Sequence, residues 1–100
     1  YVGFVPEELS STKATSLGLN PNVGIVLTGV TEGSPAESVG LRRDDIILSI
    51  NGEQIRTRRQ ALLIVARLNP GDTVEIEGLR NSQPFRTELT AAERRPQPLP

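Results

Sequence analysis

The sequence has no cysteine, no histidine, no methionine and no tryptophan among its 100 residues. Without histidine, Ser-His-Asp and Cys-His catalysis are excluded, and the commonest metal ligand is missing. Without cysteine there are no disulfides, thiolate sites or zinc clusters, and the chain suits an oxidising or a reducing compartment equally. One Tyr and two Phe give no platform on which bases could stack. A net charge of −1 lacks the basic surface that nucleic acid requires. No window of roughly 18 apolar residues exists, so no stretch reads as a membrane-spanning helix. Lys13 is the sole lysine, which leaves one residue for a Ser-Lys pair and makes an independent enzyme the weakest of the functional classes. No cofactor is implied. What remains is one domain, since 100 residues are too few for two. A chain of this length buries roughly 65% of the surface exposed when unfolded, so the core is real but thin. The first residue is Tyr1 rather than Met, so a piece of a longer chain is expected, with any leader or anchor upstream.

Turn signals cut the sequence into short pieces: Asn20-Pro21-Asn22, Gly33-Ser34-Pro35, Asn51-Gly52, Asn69-Pro70-Gly71 and Asn81-Ser82. Between them lie runs rich in Val, Ile and Leu. Val23 to Thr28 and Ile46 to Ile50 read as buried strands, and Asn51-Gly52 turns the second tightly toward Glu53-Gln54-Ile55. Thr73 to Leu79 and Phe85 to Leu89 alternate apolar with charged residues and predict a hairpin across Arg80 to Gln83. Ser34-Pro35-Ala36-Glu37 is a capping box with proline at the first helical position, and Gly40 stops that helix. Thr57-Arg58-Arg59-Gln60 is a second capping box, opening a run to Leu68. A weaker helical turn is expected from Thr12 to Leu17. Arg94 to Pro100 carries three prolines and reads as an extended tail or linker. The expectation is an α+β domain over residues 1–91 followed by a Pro-rich segment over 92–100. Five to six strands would curl into a small, partly open barrel or sandwich, with one short and one longer helix at its edges.

At about 100° per residue, Ala61, Ile64, Val65 and Leu68 fall on one face of the longer helix and suffice to dock it. Arg58, Leu62 and Ala66 form a neighbouring stripe. They are either the margin of the core or the wall of a groove beside the helix. Leu63 fits neither account. Asp44-Asp45 lack the further ligands that calcium needs and read as turn residues before a strand. Glu75 and Glu77 share one strand face, which reads as solvated sheet rather than a general acid/base pair.

The opening Tyr1-Val2-Gly3-Phe4 resembles the carboxylate-binding loop of PDZ domains, a hydrophobic-Gly-hydrophobic pattern running into a strand. Further pieces follow in order. They are Leu17-Gly18-Leu19, Gly24-Ile25-Val26 with Val30, Gly33-Ser34-Pro35-Ala36 with Gly40-Leu41, Asp45-Ile46-Ile47 with Ile50-Asn51-Gly52, Pro70-Gly71, and Arg80-Asn81. Together they resemble the PDZ domain of bacterial trypsin-like HtrA/DegS/Do proteases over about residues 1–91, in the circularly permuted form whose binding strand comes first. Arg42-Arg43-Asp44-Asp45 departs from the family, which usually has a glycine before the aspartate.

The resemblance implies a peptide-binding module that takes free C-termini by strand addition. Val2, Gly3 and Phe4 would offer amides to the ligand carboxylate. Tyr1, Val5, Pro6, Glu7, Arg58, Leu62, Val65 and Ala66 would line the groove. Val2 and Phe4 are expected to point into an apolar pocket closed by Leu62 and Ala66, with Val65 at its floor. The ligand's last residue would then be apolar or aromatic. An ordinary turn glycine is the competing reading for Gly3, plain core for Phe4 and a solvated helix start for Arg58. Pro6 has no N–H where relatives usually donate to the ligand, so one bond should be missing; protection of an exposed edge is a compatible reading. The implied partner in the same chain is a serine endopeptidase domain serving envelope protein quality control and stress response. The implied location is periplasmic or cell-envelope, with a membrane anchor outside these residues as one form. The domain alone is expected to be monomeric, with a trimeric parent as one form. The alternative host is a site-2 metalloprotease, a C-terminal processing protease or a secretion scaffold.

Overall fold

The computed structural model describes residues 1–19 and 23–93. Six strands, β1 (Phe4–Glu8), β2 (Ile25–Val30), β3 (Ile46–Ile50), β4 (Glu53–Gln54), β5 (Thr73–Arg80) and β6 (Gln83–Thr90), alternate with three helices, α1 (Ser11–Ser16), α2 (Pro35–Ser38) and α3 (Arg58–Ala66). Every strand pairing is antiparallel, in the order β1-β2-β3-β5-β6, with β4 paired to β3. β1 and β6 are the outer strands. The Ala92 amide donates to the Tyr1 carbonyl at 3.0 Å, so the segments flanking the two outer strands meet. That contact draws the two ends of an open antiparallel sheet toward each other.

Local chemistry sets most boundaries. Asn51-Gly52 has φ of 52° and 79°, and Asn81-Ser82 has 50° and 64°. Two left-handed residues give a two-residue link the twist that antiparallel strands need. Ser34 caps α2, with its Oγ accepting from the Glu37 amide at 3.3 Å, while Glu37 Oε1 accepts from the Gly33 amide at 2.9 Å. Thr57 caps α3 in the same way: its hydroxyl accepts from the Gln60 amide at 3.0 Å, and Gln60 Oε1 accepts from the Arg56 amide at 2.8 Å. In both boxes the reach-back lands one residue upstream of the cap. The weak turn expected from Thr12 to Leu17 is α1, started by Ser10, whose Oγ accepts from the Lys13 amide. β2 begins at Ile25 rather than Val23, since Gly24 has φ of +96° and turns the chain. The run expected to Leu68 ends as helix at Ala66. Asn20-Pro21-Asn22 and Arg94 to Pro100 lie outside the described residues.

The core draws Phe4, Ile25, Leu27, Ile47, Ile50, Ile76 and Leu89 from the strands and Ala36 and Ala61 from the helices. α3 docks through buried Ala61, with Ile64, Val65 and Leu68 packed partly against the core, the face its periodicity predicts. Gly78 lets β5 approach β3 closely, where a side chain's Cβ would collide with the Ile46 carbonyl oxygen.

Candidate functional site

The turn entering β1 is held by its carbonyls. The Tyr1 oxygen accepts from Ala92 at 3.0 Å, the Val2 oxygen from Ala36 at 2.9 Å and the Gly3 oxygen from Thr31 at 2.8 Å. Among the described residues, the amides of Val2 and Gly3 donate to none of these partners or to any other. Gly3 has φ of +87°, a left-handed value costly for any residue with a side chain. Its Cα also faces Ser34, so a Cβ there would strike the Ser34 Cβ and come within 2.5 Å of its Oγ. Successive amides freed on one side of such a turn form an anion-binding concavity.

β1 continues from the turn as an open edge. Strand residues point their backbone groups alternately to either side. Because Gly3 bonds toward β2, as does the paired Val5↔Gly29, the groups of Phe4, Pro6 and Glu8 point to the unpaired side. The register shifts between Val5 and Pro6, leaving Thr28 of β2 as the extra residue. Its hydroxyl donates to the Val5 carbonyl at 3.3 Å. Alongside this edge runs a groove of about 250 Å³ lined by Phe4, Val5, Pro6, Glu7, Arg58 and Leu62. Its continuation, about 290 Å³, is lined by Glu8, Arg58, Arg59 and Leu62.

Six of the residues singled out from the sequence thus share one groove. Val2 does not: it is 2% exposed and sits in the core, because its carbonyl is tied to α2 and draws the residue inward. Val65 is half-buried against the core and Ala66 is exposed, and neither lines the groove. Tyr1 is half-buried beside the turn. Leu62 is 39% exposed and Val5 48%, so the groove presents apolar surface to solvent. Arg58 closes its far end. Its amide donates to Glu8 Oε1 at 3.1 Å, and its guanidinium lies 3.6 Å from the Glu7 carboxylate. That second contact is half-exposed on both sides, so it contributes little to stability.

An ion pair at Asp45 is the main feature that reading the sequence missed. Asp45 is 2% exposed. Its carboxylate accepts from the Arg42 amide at 2.8 Å and from Arg80 Nε and an Arg80 terminal nitrogen at 2.8 and 2.7 Å. Arg80 also donates to the Gly40 carbonyl at 2.6 Å and lies 5.3 Å from the centre of the Phe85 ring. The hydrogen bond that Arg80 donates to Asp45 raises the Arg80 pKa against the opposing effect of burial. Asp44 takes φ of +75° in the turn before β3. A larger hollow of about 680 Å³ lies beyond Glu8, lined among others by Lys13, Leu17, Leu79 and Asn81. It contains neither the freed amides nor the Phe4–Pro6 edge, so the smaller groove is the candidate site.

The turn with its free Val2 and Gly3 amides, the open edge of β1 and the start of α3 beside it thus lie together along one groove. The chain belongs to the PDZ domain family, whose model matches residues 2–90. It is 31% identical over 90 residues to a probable periplasmic serine endoprotease DegP-like of Ectopseudomonas mendocina, covering 90% of this chain and 19% of that protein. It is 35% identical over 80 residues to the serine protease Do-like HtrA of Bacillus subtilis, covering 79% and 18%. It is also 40% identical over 80 residues to the dog tight junction protein ZO-3, covering 74% of this chain and 9% of that one. The chain therefore spans less than a fifth of the length of these relatives. Among solved structures, a variant of the HtrA-type protease AlgW with a decapeptide matches at a TM-score of 0.88 and 34% identity, over 100% of this chain and 31% of that one. The HtrA3 PDZ domain bound to a phage-derived ligand matches at 0.70 with 18% identity, a likeness of fold.

Proposed function

We propose that this domain captures free C-termini of polypeptides by adding them as a strand to β1, and that it regulates or feeds an attached HtrA-type serine endopeptidase. The observation carrying this reading is the turn at Val2 and Gly3, whose amides are unengaged among the described residues while its carbonyls are all used. A ligand carboxylate would take those amides together with that of Phe4, which points to the open side. The ligand's last side chain would lie against Phe4 and Leu62. Burying an apolar or aromatic residue there contributes about 1.5–3 kcal/mol. The DegP-like relatives are named periplasmic, which supports an envelope location and misfolded envelope proteins as the source of such termini. Arg58 at the groove's end favours a ligand side chain that accepts hydrogen bonds.

The likeness to ZO-3 supports a second reading, in which the same module serves a host other than a protease. It shares the binding chemistry and differs only in what occupancy controls. An NMR titration tests the common part, using a short peptide ending in Phe as free acid and as its C-terminal amide. The free acid should move the amide signals of Val2 to Phe4 and Leu62, and the amide form should move them far less. Equal shifts for both forms would refute the reading.

A further inference from the structure

We propose that Glu7 reads the fourth residue from the ligand's C-terminus and selects a basic side chain there, with Arg58 holding that place while the groove is empty. The inference rests on the strand-addition reading above and extends it to the ligand's sequence. With its carboxylate at the Val2–Gly3 turn, the ligand must run antiparallel to β1, with its upstream residues toward Glu8. The extra residue of the β1–β2 irregularity is Thr28 in β2, so the alternation along β1 runs unbroken. Counted from the ligand's end, the first residue then lies opposite Phe4, the third opposite Pro6 and the fifth opposite Glu8. The second and fourth lie opposite Val5 and Glu7, and their side chains share a sheet face with those residues. That face is the outward one. Phe4 and Pro6 are buried, whereas Val5 is exposed and Glu7 is paired with half-buried Val26 of β2.

The charge in that row belongs to Glu7. Residues directly opposite in an antiparallel pair have Cβ atoms about 4.5–5.5 Å apart, where opposite charges attract and like charges repel. Three other charged groups stand near this end of the groove. Glu8 is committed elsewhere: its Oε1 accepts from the Arg58 amide at 3.1 Å, which fixes the start of α3. Arg59 lines only the groove's continuation. The Arg58 guanidinium crosses the groove from α3 and lies 3.6 Å from the Glu7 carboxylate, with both side chains about half exposed. So long and exposed a contact contributes little and is readily exchanged. Arg58 also spans the groove on a long side chain whose ordering costs entropy, whereas Glu7 stands on the strand beside the ligand. A lysine or arginine at the fourth position takes over the Glu7 carboxylate and frees Arg58 for a hydrogen-bond-accepting side chain elsewhere on the ligand. A glutamate there meets Glu7 head-on. The ligand class that follows is a free C-terminus with an apolar last residue and a basic fourth one.

Calorimetric titrations of the whole chain test this, using N-acetylated hexapeptide acids that carry Lys, Gln or Glu immediately before a final Ala-Val-Phe. In low salt the Lys peptide should bind about fivefold more tightly than the Glu peptide, with Gln between them, the combined effect of one attractive and one repulsive cross-strand pair. Near 1 M salt, where charges are screened beyond about 3 Å, the two should fall within about twofold of each other. Glu7→Gln should abolish the preference and Glu7→Lys should invert it. Arg58→Ala should keep or enlarge it, since the competitor for Glu7 is gone. Equal binding of the Lys and Glu peptides to the unaltered chain would overturn the inference. So would a preference that survives Glu7→Gln, disappears in Arg58→Ala or ignores salt. If a variant does not fold, the Lys-against-Glu comparison on the unaltered chain and its salt dependence decide. Failure of the underlying reading looks different: acid and amide forms of each peptide would then bind alike, or no peptide would bind.

Discussion

Gly3→Ala should be far more damaging than the same change at another left-handed glycine, and Gly40 is the matched control. The two have φ of +87° and +86°, so the backbone strain of placing an alanine there is the same, about 1–2 kcal/mol. Their surroundings differ. A Cβ on Gly40 meets nothing within 4 Å, whereas one on Gly3 strikes Ser34. Ser34 cannot yield freely: it is 2% exposed, caps α2 and is bonded through its own amide to the Thr31 carbonyl at 3.2 Å. Overpacking a fixed neighbour adds about 1–3 kcal/mol. Gly3→Ala should therefore lose about 3 kcal/mol in urea unfolding, and Gly40→Ala about 1 kcal/mol, by the strain and overpacking costs together. Ser34→Gly alone should cost only a few tenths of a kcal/mol, since glycine is a tolerable cap. In the Gly3→Ala background it should raise stability by relieving the clash. Equal losses at Gly3 and Gly40, or no rescue by Ser34→Gly, would refute the claim that Ser34 is what excludes a side chain at the turn.

Asp45→Ala strands the Arg80 guanidinium and the Arg42 amide and should cost about 3 kcal/mol, while Asp45→Leu combined with Arg80→Met should recover much of that loss; thermal unfolding of the single and double variants checks both. Leu62→Ser should weaken binding of a Phe-ended peptide about fivefold by removing apolar contact. It should leave the unfolding midpoint nearly unchanged, because Leu62 is 39% exposed in the free domain.

Features with local causes were legible in the sequence. The Asn51-Gly52 and Asn81-Ser82 turns and the Ser34 and Thr57 caps each depend on residues within four positions of one another. The docking face of α3 follows from its periodicity alone. Partnership at a distance was not legible. Asp45 and Arg80 are 35 residues apart, and neither carries a local mark distinguishing it from a turn acid or a hairpin arginine. The groove was legible in part. A hydrophobic-Gly-hydrophobic tetrapeptide specifies a backbone path, so it placed the turn, but it does not say which hydrophobic faces the core. The bond from Ala36 to the Val2 carbonyl decides that, and α2 lies more than thirty residues downstream. Arg58 was read as a groove residue without its tie to Glu8, which depends on how β1 meets α3.

An edge open to the proposed ligand is also an edge on which other copies could aggregate, and the features of β1 bear on both. The strand has five residues, includes Pro6, ends in two glutamates and twists beside the irregularity at Thr28. Each feature discourages an internal strand from another chain. At the opposite edge, β6 has eight residues and carries Pro84 with the charged Arg86 and Glu88. On β1 the discouragement is uneven, because the turn at Val2 and Gly3 keeps its amides available. An internal strand brings no negative charge to that turn and loses a bond at Pro6. A chain terminus brings a carboxylate to the turn and needs little of the edge beyond it. On the proposed reading, the same proline that weakens ordinary pairing increases the preference for termini over strands, a difference of affinities produced by disfavouring the wrong partner. Pro6→Val should narrow that difference, which a competition between a free-acid peptide and its terminally amidated form would register.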